Sequence, residues 1–488
     1  GRGRVVRQLL TESALLALIG GLLGMAVAEL GVRALVALSP PGLPRASEIT
    51  LDRTVFFFGL LLTTLVGLGF GLFPALAAAR DTAGAAVQQS SLRVTGRRHA
   101  IRGALVVAEV ALAIMLLAGT GLLLRSLQRL FAIHPGFDPS GLLTMQVQTS
   151  GRRFDSDSAT LRFFDQALEA VRREPGVASA VLTSQLPFSG DLDEYGASFQ
   201  GDDAGTGGSV FRYAVSPGYF ETMRIPLVQG RYLGVEDGAG GSPSAVISES
   251  LARRRFQDQN PLGQRLYIGP RDGPMYTVVG VVRNVRQVSL ALRESDAVYV
   301  TNAQWRAGDN VLSLVVRTER DPAALTPAVR NAIWSVDKDQ PVVRVATMGA
   351  LLSQSAAERR FALTMFGSFA LVALLLAAAG IYGVLSGRVT ERQREIGVRS
   401  ALGATRGSIV SMVARQGFAL AALGTLVGVA GALGASRVLT TLLFGISRLD
   451  PVTYLGVIMV LMGVAAVACW VPAWRAARID PVITLKSE

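Results

Sequence analysis

A run of alternating charges near the carboxyl end holds the side chains of this sequence that are best suited to chemistry. Residues 391–399 are Glu-Arg-Gln-Arg-Glu-Ile-Gly-Val-Arg. Arg392 and Glu395 are three residues apart, and Glu395 and Arg399 are four apart, the spacings at which opposite charges support a helix. Carboxylate and guanidinium groups on such a helix can form charge-assisted hydrogen bonds with a polar partner. The pattern predicts a short charged helix lying against a membrane; the alternative is a solvated loop with ordinary arginines.

Residues typical of catalytic and metal centres are scarce. The sequence has two histidines, His99 and His134, and a single cysteine, Cys469, which excludes a disulfide framework and any multi-cysteine metal site. Ser184, His134 and Asp138 could be combined into a hydrolytic triad on paper, but nothing around them resembles a nucleophile elbow. We therefore predict no catalytic residue in this chain.

Sites for nucleotides, metals and cofactors are not indicated either. Only two lysines occur, Lys338 and Lys486, and neither follows a glycine, so the phosphate-binding loop G-x-x-x-x-G-K-[ST] cannot be drawn. The acidic cluster of Asp191, Asp193 and Glu194 lacks an EF-hand pattern, and a solvated loop is the better interpretation. The chain is therefore not a conventional P-loop ATPase, and we predict no metal or cofactor in it.

The elements that must position the charged run are membrane helices. The chain has 488 residues, of which 50% are apolar and only 17% charged, with a mean hydropathy of +0.40. Soluble domains carry about 25% charged residues, and a bilayer span needs about 20 mostly apolar residues. Six segments meet that length: Leu10–Leu38, Val55–Ala79, Gly103–Leu124, Phe361–Gly387, Ile409–Leu433 and Pro451–Trp474. We predict a membrane α-helical bundle of six transmembrane helices.

The basic residues set the orientation of these helices. The net charge is +12, yet residues 131–360 hold 24 basic and 25 acidic residues. The excess therefore flanks the apolar segments instead of forming a basic patch for nucleic acid. If the amino end is cytoplasmic, the inner segments carry 16 Arg and Lys residues and the two short outer loops carry four. The positive-inside rule then predicts that residues 131–360, which as a long domain are exempt from the count, lie outside.

Residues 131–360 alternate between strand and helix patterns. Two sets of ranges share the order strand, helix, strand: Leu142–Thr149, Thr160–Arg173 and Val177–Thr183, then Val311–Thr318, Pro322–Val336 and Val342–Ala346. Two such units can pair in one split βαβ sheet. Between them lie a Gly- and Asp-rich stretch, Gly201–Gly208, and short strands such as Tyr276–Val282. We therefore predict an α+β extracytoplasmic domain with split βαβ units and an inserted subdomain.

Two parts of the membrane region repeat each other. Residues 73–80 (FPALAAAR) match residues 471–478 (VPAWRAAR), and Gly20-x-x-x-Gly24 matches Gly424-x-x-x-Gly428. The first two membrane segments thus copy the last two, and because the sequence begins inside the copied motif we expect a further helix ahead of it. Glycine pairs at this spacing let membrane helices approach closely; the alternative is that glycine is simply frequent here. Since both copies carry the pair at matched positions, we predict a packing role for all four glycines.

The charged run and several further motifs resemble those of a known family. ERQREIGVRSALGAT (391–405) is similar to the E-R-x-x-E-I-G-x-x-x-A-x-G-A signature of FtsX-like ABC transporter permeases, the group that includes MacB. PAWRAARIDPV (472–482) resembles that group's P-A-x-x-A-A-x-x-x-P. VSPGYF (215–220), NPLG (260–263) and VVGVV (278–282) resemble motifs of MacB-type periplasmic core domains. The resemblance covers essentially the whole chain, which looks like the carboxy-terminal part of a duplicated orphan permease.

The resemblance implies four parts. Residues 1–102 would be the last two helices of a first FtsX-like unit with its cytoplasmic linker, 103–130 a membrane helix and stalk, 131–360 a MacB-like periplasmic core domain, and 361–488 a three-helix permease domain. Within the last part, residues 388–405 would contain the coupling helix that docks into a partner ATPase. The docking residues would be Glu391, Arg392, Arg394, Glu395, Ile396, Gly397 and Arg399.

The same resemblance implies a function without chemistry in this chain. ATP would be bound and hydrolysed on a separate cytoplasmic ABC ATPase, and the helices would transmit the resulting motion to the external domain for export across a bacterial inner membrane. A second permease half, in the full-length chain or from a second copy, would complete the transporter, with a periplasmic adaptor or outer-membrane channel as a further partner. The alternative is a signalling scaffold that activates an external cell-wall hydrolase or senses antibiotics.

Overall fold

The structure is a computed structural model that describes residues 2–37, 52–81, 90–202, 208–257, 259–292, 295–305, 309–402, 404–441 and 443–478. Side chains are described for these residues except 2–6, 9, 10, 69–81, 90–101, 394 and 441. The chain forms two compact units: Gly1–Gln128 together with Glu358–Glu488, and Arg129–Ala357. The first unit is helical, and the second, which we call the external domain, is built on β-strands.

The helical unit consists of long apolar helices and one short one. They are α1 (Arg2–Ala37), α2 (Arg53–Asp81), most of α3 (Ser90–Phe131), α9 (Ala357–Glu391), α10 (Gln393–Ala401), α11 (Arg406–Ala435) and α12 (Pro451–Ala476). Within the described residues, five stretches are long and apolar enough to cross a membrane: Thr11–Ala37, Arg102–Phe131, Ala357–Glu391, Arg406–Ala435 and Pro451–Ala476. The apolar stretch described in α2, Arg53–Leu68, is shorter. The sixth span, over 55–79, therefore stays a prediction.

Four of these helices share one apolar core. Helices α3, α9, α11 and α12 contribute Val110, Ile381, Ala421 and Leu461, each no more than 1% exposed. The outer faces of the same helices keep large apolar side chains exposed, such as Leu375 at 62%. Apolar residues on the outside as well as the inside are typical of helices that are surrounded by lipid.

The external domain has one eleven-stranded sheet, and four antiparallel strands form its first part. Two strand–helix–strand segments build it: β1 (Leu142–Gln148), α4 (Asp157–Arg172) and β2 (Ser179–Thr183), then β10 (Val311–Arg317), α7 (Thr326–Val336) and β11 (Val342–Thr347). The strand order is β11-β1-β10-β2, so a strand of one segment separates the two strands of the other. Helices α4 and α7 contribute the buried Phe164, Val171 and Ile333 to its core. The helix α8 (Met348–Ser355) follows β11.

The chain between β2 and β10 forms a closed ring of strands. Its elements are β3 (Glu194–Phe199), β4 (Gly208–Val215), α5 (Tyr219–Met223), β5 (Leu227–Gly230), β6 (Ser244–Ser248), α6 (Glu249–Phe256), β7 (Arg265–Ile268), β8 (Met275–Val282) and β9 (Ala297–Thr301). The ring order is β4-β3-β7-β8-β6-β9, and β9 pairs back to β4 in parallel. Strand β5 pairs with the end of β8. Closure removes the edges that an open sheet would expose.

Candidate functional site

The charged run lies where a long membrane helix ends and a short helix begins. Helix α9 ends at Glu391, and Arg392 separates it from α10 with φ −102° and ψ 15°. The Arg392 N–H still donates to the Arg388 carbonyl at 3.1 Å, and the Arg392 carbonyl accepts from the Ile396 N–H at 3.0 Å. Helix α10 is therefore a hydrogen-bonded continuation of α9 and not a free loop.

One side of α10 is anchored in the helical core. Ile396 is 2% exposed and belongs to the same apolar cluster as Leu385 of α9 and Val413 of α11, and Gly397 is buried beside it. Burial of one isoleucine side chain contributes roughly 1.5–3 kcal/mol. A helix of nine residues is marginal by itself, so this contact is what holds α10 in one orientation.

The exposed positions of the charged run present charge. Glu391, Arg392, Glu395 and Arg399 are exposed. Arg399 Nη2 lies 2.7 Å from Glu395 Oε1, and Arg392 Nε lies 3.9 Å from Glu395 Oε2. The structure thus brings four of the predicted docking residues together. The side chain of Arg394 is not among those that the structure describes. Exposed ion pairs contribute at most about 1 kcal/mol to stability, so folding alone does not explain this concentration of charge.

Two apolar side chains extend the charged surface and are not among the docking residues predicted from the sequence. Val398 is 41% exposed and Leu402 is 82% exposed. Leu402 follows the last residue of α10, and its N–H donates to the Val398 carbonyl at 3.0 Å, so the two side chains lie on the same side. In the sequence, these two residues could have been found as an apolar pair, four residues apart, within a charged segment too short to cross a membrane. A helix that offers both ion-pairing groups and an exposed leucine is suited to a groove on another protein.

The second pair of predicted packing glycines lies at a tight helix contact. A Cβ on Gly424 would lie 2.6 Å from the Cβ of Val110 in α3. A Cβ on Gly428 would lie 2.7 Å from the Cβ of Ile114 and 2.8 Å from the carbonyl oxygen of Ala111. Real side chains do not come this close, so the separation of α3 and α11 requires glycine at both positions.

The first pair of predicted packing glycines has different surroundings. A Cβ on Gly20 or Gly24 would meet no described atom within 4 Å. Helix α1 instead approaches α2 through another position, where a Cβ on Gly67 would lie 2.2 Å from the Cβ of Ala17. Among the described residues, the structure therefore brings Gly20 and Gly24 to no helix contact, although the matched positions in α11 are at one.

The other residues that were considered as candidates for catalysis or metal binding form hydrogen bonds and ion pairs with different partners. Ser184 Oγ accepts from the Ala214 N–H at 2.9 Å, Asp138 pairs with Arg224 at 2.6 Å, and His134 Nδ1 accepts a backbone N–H of its own turn at 3.1 Å. The acids of the predicted loop cluster have different partners: Asp191 pairs with Arg344 and accepts from Ser189, Asp193 pairs with Arg212, and Glu194 accepts from Ser209. In the described part of the chain, no group of three His, Cys, Asp or Glu side chains could hold a metal ion.

Comparison with known proteins gives two family models that match this chain. Residues 104–335 match the MacB-like periplasmic core domain, and residues 367–481 match the FtsX-like permease C-terminal family. The crystal structure of the periplasmic region of MacB from Actinobacillus actinomycetemcomitans is 14% identical, covers 46% of this chain and 96% of that chain, and has a TM-score of 0.32.

Named relatives include permeases and exporters. The uncharacterized ABC transporter permease YknZ of Bacillus subtilis (strain 168) is 24% identical, over 56% of this chain and 69% of YknZ. The macrolide export ATP-binding/permease protein MacB of Azoarcus sp. (strain BH72) is 27% identical, over 72% of this chain and 51% of that protein. The pyoverdine export ATP-binding/permease protein PvdT of Pseudomonas syringae pv. syringae (strain B728a) is 25% identical, over 54% of this chain and 40% of that protein. This chain thus spans about half the length of the exporters that it matches.

The two family models account for most of both structural units. The periplasmic core match covers the end of α3 and most of the external domain, and the permease match covers most of α9 and all of α10, α11 and α12. The match to the periplasmic core domain precedes the match to the permease family along the chain. The chain therefore belongs to the FtsX-like ABC transporter permeases that carry a MacB-like periplasmic core domain.

Proposed function

We propose that this chain is the permease subunit of an exporter and transmits ATP hydrolysis on a separate ATPase to its external domain. The observation that carries the proposal is the geometry of α10, which is anchored at Ile396 and presents Glu395, Arg399 and Leu402 outward. A partner that moves while bound to that surface would act on α9 and α11, because Ile396 clusters with residues of both helices. The relatives whose names state macrolide export and pyoverdine export support export as the direction of transport.

Helix α9 offers a path from α10 to the external domain. It is one helix of 35 residues, about 52 Å long at 1.5 Å per residue. It runs from Ala357, where the external domain ends, to Glu391 at the beginning of the charged run. Because its backbone hydrogen bonding is continuous, a displacement applied at Glu391 would be passed along the helix to Ala357.

A charged contact links α3 to α12. Arg125 of α3 pairs with Asp450, and this carboxylate also accepts from the Thr453 N–H at 2.9 Å and from the Thr453 hydroxyl at 2.6 Å. The bond from the Thr453 hydroxyl, together with the pairing to Arg125, holds the pKa of Asp450 below its ordinary value. Helix α3 leads into β1, so the contact would couple movement of α12 to the other helix that enters the external domain.

The proposal also defines compartment and partners. The distribution of basic residues favours a cytoplasmic α10 and a periplasmic external domain in a bacterial inner membrane. A cytoplasmic ABC ATPase would bind α10, and a second permease half, in the full-length chain or from a second copy, would complete the transporter. A periplasmic adaptor or an outer-membrane channel would receive the substrate from the external domain.

Charge reversal on α10 tests the proposal. The full-length protein is reconstituted in lipid with the ATPase that copurifies with it, and Glu391→Lys/Glu395→Lys is compared with Glu358→Lys at the opposite end of α9. We expect the double variant to lose about tenfold or more of the permease-dependent ATPase stimulation, because reversed charges at an interface repel the partner. Glu358→Lys should keep the stimulation, and it controls for charge reversal on α9 away from the charged run.

Two outcomes would count against the proposal. Unchanged ATPase stimulation and unchanged retention of the ATPase in the double variant would show that the partner does not dock on α10. Copurification of a cell-wall hydrolase, without any outer-membrane conduit, would favour the signalling scaffold over export.

A further inference from the structure

The outer face of α12 carries a stripe of apolar residues. They recur every three or four positions, and all of them are exposed: Val452, Leu455, Met459, Val460, Gly463, Val467, Trp470, Val471 and Trp474. This spacing places them on one side of the helix, whereas Leu461, Ala465 and Cys469 belong to the apolar core of the helical unit. The stripe is therefore the side of α12 that faces lipid.

The length of the stripe indicates where it ends in the bilayer. Helix α12 is described from its first residue to its last, Pro451–Ala476. Along it, Val452 and Trp474 lie about 33 Å apart at 1.5 Å per residue, close to the thickness of a hydrocarbon core, about 30 Å. Trp470 is 64% exposed and Trp474 is 49% exposed, and tryptophan is enriched where acyl chains meet headgroups. We therefore place Trp474 at that boundary.

Two arginines follow at the same end of the helix. Arg475 and Arg478 are exposed. The guanidinium carbon of Arg478 lies 3.8 Å from the ring centroid of Trp474, a cation–π contact. Arg475 Nη1 donates to the hydroxyl oxygen of Tyr382 in α9 at 3.3 Å. Among the described residues, neither guanidinium pairs with a carboxylate, so most of their N–H donors are available to another acceptor.

The two guanidinium groups can hold one anion together. They are three residues apart, which makes them neighbours on the surface of the helix. Guanidinium groups bind phosphate oxygens through paired N–H donors, and the phosphate present at the boundary of a bilayer is that of a phospholipid. The choline of phosphatidylcholine would bring a cation close to both arginines, whereas the glycerol of phosphatidylglycerol would not. The pair therefore favours an anionic lipid.

The sequence repeat provides an internal comparison. Residues 73–80 match residues 471–478, and Arg80 stands at the position of Arg478. The first copy has Leu76 and Ala77 where the second has Trp474 and Arg475. The combination of tryptophan with two arginines is therefore a property of α12 and not of the repeat itself.

We propose that Arg475 and Arg478 bind the phosphate of an anionic phospholipid, with Trp470 and Trp474 packed against its glycerol backbone and acyl chains. Because Arg475 also contacts Tyr382, the lipid lies where α12 meets α9, the helix that leads into α10. The inference depends on α12 as a membrane span. It goes beyond the proposed function, since it holds whether the protein exports a substrate or transmits a signal.

Fluorescence quenching in lipid tests the site. The full-length protein with Cys469→Ala receives Val467→Cys, which lies about 10 Å from Trp474 toward the centre of the bilayer, and is labelled with bimane. It is placed in phosphatidylcholine nanodiscs that contain either 5-doxyl phosphatidylglycerol or, at the same mole fraction, 5-doxyl phosphatidylcholine. The control probe is Val452→Cys, which is matched in residue type and lies at the other end of the same stripe.

We expect doxyl phosphatidylglycerol to quench bimane at position 467 at least threefold more than doxyl phosphatidylcholine does, and the two lipids to quench about equally at position 452. Arg475→Gln/Arg478→Gln should abolish the preference at position 467. The control Arg406→Gln/Arg415→Gln removes the same charge from exposed positions of α11 and should keep the preference.

Three outcomes would overturn the proposal. Equal quenching by the two lipids at position 467 would show that the site does not select an anionic lipid. An equal loss of preference in both double variants would assign the attraction to the overall positive charge and not to Arg475 and Arg478. Failure of either lipid to quench either probe would show that α12 does not cross the bilayer.

Discussion

Asp237 illustrates how one ionised side chain can hold a loop of the external domain. It is buried, and it accepts from Arg231 Nη1 at 2.6 Å, from Arg231 Nη2 at 2.9 Å and from the Gly234 N–H at 3.0 Å. The bonds from Arg231 lower the pKa of Asp237 to about 2 although burial acts in the opposite direction. A carboxyl whose pKa falls on folding stabilises the fold above its unfolded pKa of about 4, and this stabilisation is lost as the pH drops through the folded value.

We predict that Asp237→Asn loosens this loop at neutral pH. A pKa shift of this size corresponds to about 2 kcal/mol, so the backbone amides of residues 234–238 should exchange hydrogen roughly 30-fold faster. Below about pH 2 the variant and the wild type should exchange alike. Hydrogen exchange on the full-length protein in detergent measures both conditions. Glu236→Gln is the control, because that carboxylate is 63% exposed; an equal effect of the two substitutions would contradict the assignment to Asp237.

At the scale of elements, α1 and α11 show that matched sequences can have different neighbours. Both helices carry a Gly-x-x-x-Gly pair, but only Gly424 and Gly428 meet another helix among the described residues. The partner of α11 is α3, whose valine and isoleucine side chains fit against the bare glycine backbone. The spacing of the glycines is a local feature, whereas the helix that lies opposite is decided by the tertiary fold.

We therefore predict that the same substitution lowers the stability of the protein in one copy and leaves it nearly unchanged in the other. Gly424→Val places new atoms against Val110 and forces α3 and α11 apart, at a cost of about 1–3 kcal/mol. We expect the Tm of the full-length protein in detergent to fall by about 5 °C. Gly20→Val, at the matched position of α1, should change the Tm by less than about 1 °C. Equal shifts in the two variants would show that α1 packs against a helix as α11 does.

At the scale of the whole molecule, the distribution of charge and the path of the chain predict that α10 and the external domain lie on different sides of the membrane. Leu402 follows α10, and Val235 lies in the external domain, and each is 82% exposed. With Cys469→Ala, we expect a membrane-impermeant maleimide to label Val235→Cys in spheroplasts and to label Leu402→Cys only after the membrane is permeabilised. Labelling of both positions in intact spheroplasts would reverse the side assigned to α10.

The sequence predicts those parts of the architecture that depend on local periodicity. The predicted strand Leu142–Thr149 corresponds to β1, and the predicted helix Thr160–Arg173 overlaps α4. The ring closure between β4 and β9 could not be predicted, because its two strands are about 80 residues apart and no local pattern specifies so distant a partner. The charged residues of α10 are visible as a motif, whereas the exposure of Val398 and Leu402 depends on how the helix packs.

Strand β1 emerges from the ribosome long before its neighbours do. It pairs with β10 and β11, and β10 begins at Val311, about 170 residues after Leu142. At about 5–20 residues per second, synthesis of that stretch takes roughly 10–30 s. During this time the strands from β3 to β9 are made one after another, while β1, with apolar side chains such as Leu143 and Met145, waits without its sheet neighbours. The order of synthesis thus leaves the apolar side chains of β1 covered by α4 alone until β10 has been made.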